Sequence, residues 1–308
     1  GYSKERPITP FFKNGLMWLG FSIPTLIHGI NGLNLYFPQI PRIKLFYDLG
    51  WIFVEKPWDV IRPLWAIIHF SVIGFVYLLP TDLSFSLWFF YFAFHLQAVI
   101  GRAMGKPVRY AMGYAVRDFA AYQMAGALFG FVIAALYRAR GVLKEIFVKA
   151  LTGSGEVDDS DEPIPYRAAV TCLILGFSIT ILWSVAAGVS PGIMLAVMVI
   201  FSVTMIAMTR MVSEGGMLFI QTPFRPIDII YPITGTKFIN PPSHTILAFE
   251  EMIFMFDVRS SLMPSVMDGF KLMDYGDFRK RDLLPLIGVS ILSSIIVSYL
   301  TVLILSLI

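Results

Sequence analysis

The sequence predicts an all-α fold, a polytopic transmembrane helical bundle of about six to seven spans with broken or re-entrant segments and interfacial helices. From Leu283 to Ile308 the chain carries no charged side chain, and an uncharged helix of about 20 residues crosses the roughly 30 Å hydrocarbon core of a bilayer. At least four other stretches are nearly as apolar. Only 15% of all residues are charged, against about 25% in soluble domains. We therefore treat lipid as the solvent of this chain.

Seven apolar segments are candidate spans, at 15–37, 64–80, 83–101, 118–137, 167–188, 191–209 and 284–308. The first is the least regular, because Pro24, His28, Asn31 and Asn34 interrupt it. It is either a proline-kinked span packed on its neighbours or a discontinuous helix of the kind that forms substrate sites.

The segment between the first two spans, 38–63, mixes proline, charged and aromatic residues. This composition is typical of an interfacial loop, with Trp51 and Trp58 at the depth of the lipid headgroups. Further on, Thr81 or Asp82 can accept hydrogen bonds from the first amides of the third span. The second and third spans are therefore predicted to form a tight antiparallel hairpin.

Three sections follow from the charge pattern: membrane helices 1 to 4 at 1–137, a soluble linker at 138–166, and membrane helices 5 to 7 at 167–308 with interfacial helices at 243–278. The linker begins with a basic stretch, which favours the cytoplasmic side of the membrane. The same orientation leaves the basic residues of 101–117 outside unless they face a cavity; these are Arg102, Lys106, Arg109 and Arg117.

Small residues in the fourth span predict close helix packing. Gly126 and Gly130 have GxxxG spacing, which lets helix backbones approach, although the motif is too common to predict a dimer.

The segment 243–278 has apolar positions at helical spacing. We expect Ser243 to cap it, Pro264 to divide it, and its charged residues to lie on the less apolar side; these are Glu250, Glu251, Asp257 and Arg259. Its methionines have no cysteine or histidine beside them, which favours interfacial helices over a soft-metal site.

Composition and motifs exclude several classes of function. The net charge is only +3, with basic residues at segment ends, so no nucleic-acid partner is expected. A single cysteine, Cys172, excludes disulfides within the chain and cysteine-rich metal sites. HExxH, GxSxG and phosphate-loop motifs are missing, so we expect neither an enzyme nor a cofactor. His28, His69 and His95 could ligate haem or chlorin, but lone intramembrane histidines more often hydrogen-bond across helices.

The end of the sixth span is the strongest candidate for a site. Arg210 and Glu214 stand four residues apart and Gly215 and Gly216 follow, so the charges share a helix face and the backbone is then free to turn. Broken membrane helices build substrate sites in this way. The alternative is an ion pair at a helix end with a glycine cap. With His28 and Asn31 of the first span, these four residues form the predicted substrate and ion pathway.

Several blocks carry a resemblance to a known family, namely Pro57-Trp58-Asp59, the run from Tyr77 to Tyr91, Asp161-Glu162-Pro163 with Tyr166-Arg167, and Glu214-Gly215-Gly216. In this order they resemble an uncharacterised bacterial membrane protein family related to the oligopeptide-transporter superfamily, from about residue 20 to residue 300. The resemblance implies that Glu214, Gly215 and Gly216 line a pathway and that this chain corresponds to the C-terminal half of a longer protein. It also implies the bacterial inner membrane as the location.

The sequence therefore predicts a transporter-like membrane protein that moves a small solute or peptide, coupled to protons through Glu214. Its expected partners are the lipid bilayer and a missing N-terminal half or a second copy of the chain, or other membrane subunits. The alternative is a non-catalytic structural subunit of a larger membrane complex.

Overall fold

The computed structural model describes residues 10–106, 118–153, 157–217, 220–235, 239–254, 261–276 and 279–307. The described residues form α-helices, two short strands and a few 3-10 turns, which confirms the all-α fold. In chain order the elements are α1 (Gly15–Tyr36), β1 (Phe46–Asp48), β2 (Trp65–Ile67), α2 (Phe70–Val76), α3 (Thr81–Ala103), α4 (Asp118–Thr152), α5 (Tyr166–Ala186), α6 (Pro191–Ser213), α7 (Pro226–Thr234), α8 (Pro241–Phe254), α9 (Leu262–Gly276) and α10 (Leu283–Leu307).

Five helices are long and apolar enough to cross a membrane: α3, α4, α5, α6 and α10. The protein is therefore an integral membrane protein. The first predicted span is one continuous helix, α1, in spite of Pro24, but its polar residues keep it outside this group. The prediction of a spanning helix at 64–80 is wrong, because its first part pairs as strand β2 and only the short helix α2 follows. An apolar run alone does not distinguish a strand from a helix.

Contact clustering divides the chain into two compact units, residues 1–108 and 109–308. In the first unit, β1 and β2 pair antiparallel with Phe46 opposite Ile67. The 3-10 turn Trp58–Ile61 packs against α3, where Arg102 Nη2 lies 2.8 Å from Asp59 Oδ2. Arg102 thus has the acidic partner that the sequence did not indicate.

Two predictions about the start of α3 fail. Pro80 occupies the N-cap position without a side-chain hydrogen bond, and Thr81 is the first helical residue. Proline is an effective helix boundary because it restricts the preceding backbone and lacks an amide hydrogen. The expected hairpin of two spanning helices is also absent, since only the seven-residue helix α2 precedes Pro80.

Helix α6 is the centre of the second unit. It packs against α4, α5, α7 and α9. Half of its most apolar stretch is buried, whereas none of the most apolar stretch of α10 is. Met194 and Val197 join Ile227, Ile230 and Leu247 in the largest cluster of buried residues. Helices α5 and α6 form the predicted hairpin.

Helix α4 continues well past the predicted end of its span. Its 35 residues extend about 50 Å at 1.5 Å per residue, so the helix enters the predicted linker. There Lys149 Nζ lies 2.9 Å from Asp159 Oδ1, and Asp159 Oδ2 accepts a hydrogen bond from the Tyr166 amide at 3.0 Å. Asp159 therefore ties the end of α4 to the start of α5.

The buried face of α4 is not its glycine face. Ala125, Leu128 and Val132 are buried against α6, whereas no heavy atom of the described chain lies within 4 Å of a Cβ placed on Gly126 or Gly130. Within the described chain no helix packs closely on Gly126 or Gly130, although their GxxxG spacing predicted it. The small residues Ala121 and Ala125 of the same helix are buried.

The predicted interfacial segment forms two helices, with a different start and division. Helix α8 begins at Pro241, so Ser243 lies inside the helix and is not its cap. Helix α9 begins at Leu262, which places Pro264 in its first turn, where proline is tolerated. Asp257 and Arg259 lie outside the described residues.

Candidate functional site

Helix α8 buries a stripe that contains two carboxylates. Its buried residues are Ser243, Leu247, Glu250 and Glu251, a spacing of i, i+4, i+7 and i+8 that follows one helix face. Glu250 is 3% exposed and Glu251 is 7% exposed. Both glutamates share this face with Ser243, whereas Phe249, Met252 and Ile253 are exposed. The less apolar side of the helix, where the two carboxylates were expected, is therefore its buried side. Helices α5 and α7 each supply a polar partner, so this face can be buried.

The N-terminus of α7 supplies the partners of Glu251. Pro226 is the first residue of the helix, and Asp228 accepts a hydrogen bond from the Arg225 amide at 2.9 Å. The Arg225 guanidinium folds back on the same carboxylate, with Nε at 3.3 Å from Oδ2. Proline at the start, with an acidic residue in the first turn, suits a helix N-terminus.

Glu251 lies against this N-terminus. Its Oε2 is 3.3 Å from Arg225 Nη1, and its Oε1 accepts a hydrogen bond from the Ile227 amide at 3.3 Å. Burial nevertheless raises the pKa of Glu251 to about 7, because loss of water outweighs Arg225 and the Ile227 amide, and Asp228 adds repulsion. Glu251 can therefore gain and lose a proton near neutral pH.

Glu250 faces α5, where Oε1 contacts the hydroxyl of Ser184. Its Oε2 is fully buried and makes no hydrogen bond within the described part of the chain. Burial raises the pKa of Glu250 above its ordinary value, although Ser184 acts in the opposite direction. A buried carboxylate oxygen without a donor favours the neutral acid.

The hydroxyl of Ser184 is compatible with a protonated Glu250. Ser184 Oγ lies 2.8 Å from the carbonyl oxygen of Thr180 and also contacts Glu250. A serine hydroxyl has one proton and donates only once. If Ser184 donates to Thr180, the proton between Ser184 and Glu250 must come from the carboxyl group. The geometry thus provides a place for a proton on Glu250.

A third polar contact joins the same two short helices. The hydroxyl of Tyr231 on α7 lies 2.6 Å from His244 Nδ1 on α8.

Among the described residues, no three histidine, cysteine, aspartate or glutamate side chains gather closely enough to hold a metal ion.

The structure brings four of the predicted pathway residues together at the end of α6. Arg210 binds Glu214 through two hydrogen bonds of 2.8 Å, and the side chain of Glu214 is 59% exposed. Gly216 has a φ of +68° and its amide bonds to the carbonyl of Val212. This geometry is that of an ion pair at a helix end with a glycine turn. Arg210 holds the pKa of Glu214 below its ordinary value.

The other two predicted residues, His28 and Asn31, lie in the first unit. Asn31 bonds to the backbone of Ile43, and the ring of His28 meets Phe70 edge-on at 5.8 Å. His69 lines the same pocket as both, and His95 stacks edge-on with Tyr91 on α3. Pigment binding by these histidines stays an untested alternative to the hydrogen bonds across helices that the sequence favours.

Sequence reasoning missed Arg225, Asp228, Glu250 and Glu251. A signal was present, since Ser243, Leu247, Glu250 and Glu251 repeat at helical spacing. Reading that face as buried requires knowing that α5 and α7 supply a hydroxyl and a guanidinium opposite it. Along the chain, the Ser184 hydroxyl is 66 residues from Glu250, and the start of α7, with the Ile227 amide, is 24 residues from Glu251.

Comparison with curated proteins and with solved structures finds no significant match. The family described as "Family of unknown function (DUF6785)" matches residues 2–306. The match covers both compact units and every helix that carries the carboxylate site. The chain therefore belongs to the family DUF6785, whose function is unknown.

Proposed function

We propose that the protein is a proton-coupled transporter of a small solute or peptide and that Glu250 carries the coupling proton. The observation that supports this most directly is the buried Oε2 of Glu250, which has no hydrogen-bond partner in the described chain. Carboxylates inside membrane proteins are costly, and they typically mark ion or proton pathways.

The surrounding elements support the same proposal. Helices α7 and α8, with nine and 14 residues, are too short to span the bilayer. Their buried apolar side chains nevertheless pack in one cluster with those of α6. Short helices that present their ends inside a bundle are typical of transporter sites. Peptides are the substrate class that the resemblance to the oligopeptide-transporter superfamily implies.

We place the coupling proton on Glu250 and not on Glu214, because the two carboxylates differ in proton affinity. Glu214 is exposed and paired with Arg210, which favours its charged form. Glu250 is buried beside a neutral hydroxyl, which favours the acid. The pKa of Glu250 is thus raised and that of Glu214 lowered, so Glu250 binds a proton more readily than Glu214 does.

The test uses the purified full chain in liposomes that enclose a pH-sensitive dye. With the outside acidic, adding a mixture of dipeptides to pentapeptides should acidify the interior. Glu250→Gln should abolish the acidification, and Glu214→Gln should retain it. A folding control is thermal unfolding in detergent, because glutamine can still bond to Ser184. Wild-type proton uptake by Glu250→Gln would contradict the proposal. A structural subunit would instead give no proton flux in any form and would co-purify with other subunits.

A further inference from the structure

The pocket that His28, Asn31 and His69 share in the first compact unit is lined by basic side chains. Its volume is about 790 Å³, within the range of small-molecule sites. His28, Arg42, Lys44 and His69 line it together with Asn31 and apolar residues. No aspartate or glutamate is among the described residues that line it.

Asn31 fixes the position of the segment that carries Arg42 and Lys44. Its side-chain Oδ1 accepts a hydrogen bond from the Ile43 amide at 2.7 Å, and its Nδ2 donates to the Ile43 carbonyl at 3.0 Å. Both backbone groups of Ile43 are therefore held against α1. The flanking residues Arg42 and Lys44 are placed at the pocket as a result.

The strand pair brings in the fourth basic residue. Phe46 lies opposite Ile67, and the Ile68 amide donates to the Leu45 carbonyl at 2.8 Å. Continuing this antiparallel register places Lys44 beside His69. Three separate segments thus converge on one pocket, which local sequence alone would not arrange.

The pocket has an unbalanced positive charge. Arg42 and Lys44 form no ion pair with any described residue. The walls contributed by Ile43, Phe46 and Ile67 are apolar. Arg42 and Lys44 are exposed to solvent, so their charges can attract an anion from outside the protein. An anion with several oxygens can bind both cations and the two imidazole rings at once.

We propose that this pocket binds a phosphate group, carried either by an anionic lipid or by a soluble phosphate-bearing solute. Phe46 and Trp65 lie on the same strand pair with ring centroids 5.8 Å apart, and such aromatic pairs favour the depth of the lipid headgroups. Basic pockets at that depth recognise anionic headgroups. The inference rests on the first unit and is independent of the proposed transport.

The test compares lipid binding by the delipidated full chain in detergent, using native mass spectrometry. Phosphatidylglycerol should bind about tenfold or more tightly than phosphatidylcholine. Arg42→Gln with Lys44→Gln should remove this preference. The matched control, Lys13→Gln with Lys56→Gln, removes the same charge from exposed positions outside the pocket and should keep it. Thermal unfolding checks that both double variants remain folded.

Two arms distinguish the sources of the phosphate. If phosphatidylglycerol binds and millimolar inorganic phosphate neither displaces it nor stabilises the protein, the ligand is a lipid headgroup. If inorganic phosphate displaces the lipid, or raises the unfolding temperature of the wild type but not of the Arg42 and Lys44 double variant, the site takes a soluble phosphate group. Equal binding of both lipids without any effect of phosphate would overturn the proposal, as would a double variant that binds like the wild type.

Discussion

Glu250 and Glu251 are neighbours on one turn of α8, yet their environments differ in charge. Glu251 contacts the guanidinium of Arg225, whereas the hydrogen-bond partner of Glu250 among the described residues is the neutral hydroxyl of Ser184. Burial raises both pKa values. The pair can thus hold one negative charge on Glu251, which Arg225 compensates, and one proton on Glu250, whose described partner carries no positive charge. This difference is the residue-level basis of the proposed coupling.

The pKa of Glu251 predicts how stability depends on pH. Because the folded pKa is about 7 and the ordinary value is 4.5, the folded state holds its proton more tightly than the unfolded state. Its contribution to the free energy of unfolding is therefore complete below pH 4.5 and is lost as pH rises to and through 7, at up to about 1.4 kcal/mol per pH unit.

We expect Glu251→Gln to flatten this dependence. Unfolding temperatures in detergent, measured from pH 4.5 to pH 8, should fall less steeply for the variant than for the wild type. Glu145→Gln is the control, since Glu145 is an exposed residue on the charged end of α4. Parallel curves for wild type and Glu251→Gln would contradict the raised pKa.

At the scale of elements, the end of α6 depends on two glycines for different reasons. A Cβ on Gly215 would lie 2.5 Å from the Met211 carbonyl oxygen, whereas one on Gly216 would meet nothing within 4 Å. Gly216 is required instead by its φ of +68°, a left-handed conformation that costs other residues about 1–2 kcal/mol.

Gly216→Ala should therefore lower the free energy of unfolding by about 1–2 kcal/mol, and Gly215→Ala should lower it further because a backbone oxygen must move. Chemical denaturation in detergent measures both. Gly130→Ala is the control: the site is helical and open, so alanine should be neutral or slightly stabilising. A Gly216→Ala variant as stable as Gly130→Ala would show that the turn is not required.

Helix α8 shows which properties of an element the sequence predicts and which it does not. Its helical period is visible in the sequence, because apolar residues recur at helical spacing from residue 243 onward, but its start at Pro241 and its end at Phe254 were not predicted. The sequence placed the two glutamates on the less apolar side but did not indicate that this side is buried, since two glutamates on a helix usually face water. Tertiary partners reversed that preference by supplying Ser184 and Arg225.

At the scale of the whole molecule, α5 is long and apolar enough to cross the membrane once, which predicts that its two flanking turns lie on opposite sides. Asp161 and Ser190 are exposed residues on these turns. The basic end of α4 predicts that the linker is cytoplasmic, by the positive-inside preference.

Cysteine labelling tests this orientation in a Cys172→Ala background. A membrane-impermeant maleimide should label Ser190→Cys in intact cells and Asp161→Cys only in inverted vesicles. The two variants control each other because each reports the side that the other does not. Labelling of Asp161→Cys in intact cells would reverse the orientation, and labelling of both would contradict the single crossing by α5.

The sequence by itself determined the class of this protein. Long uncharged runs specify helices in lipid, because each helix satisfies its own backbone hydrogen bonds, and four spans within 83–209 together with the last one are helices long enough to cross. The tertiary structure alone decided the sites. It brought Lys44 and His69 to one pocket beside a strand pair, and it buried Glu250 and Glu251 against α5 and α7. Such contacts join residues far apart in the chain, and a local pattern records only the side chain and not the partner that compensates its burial.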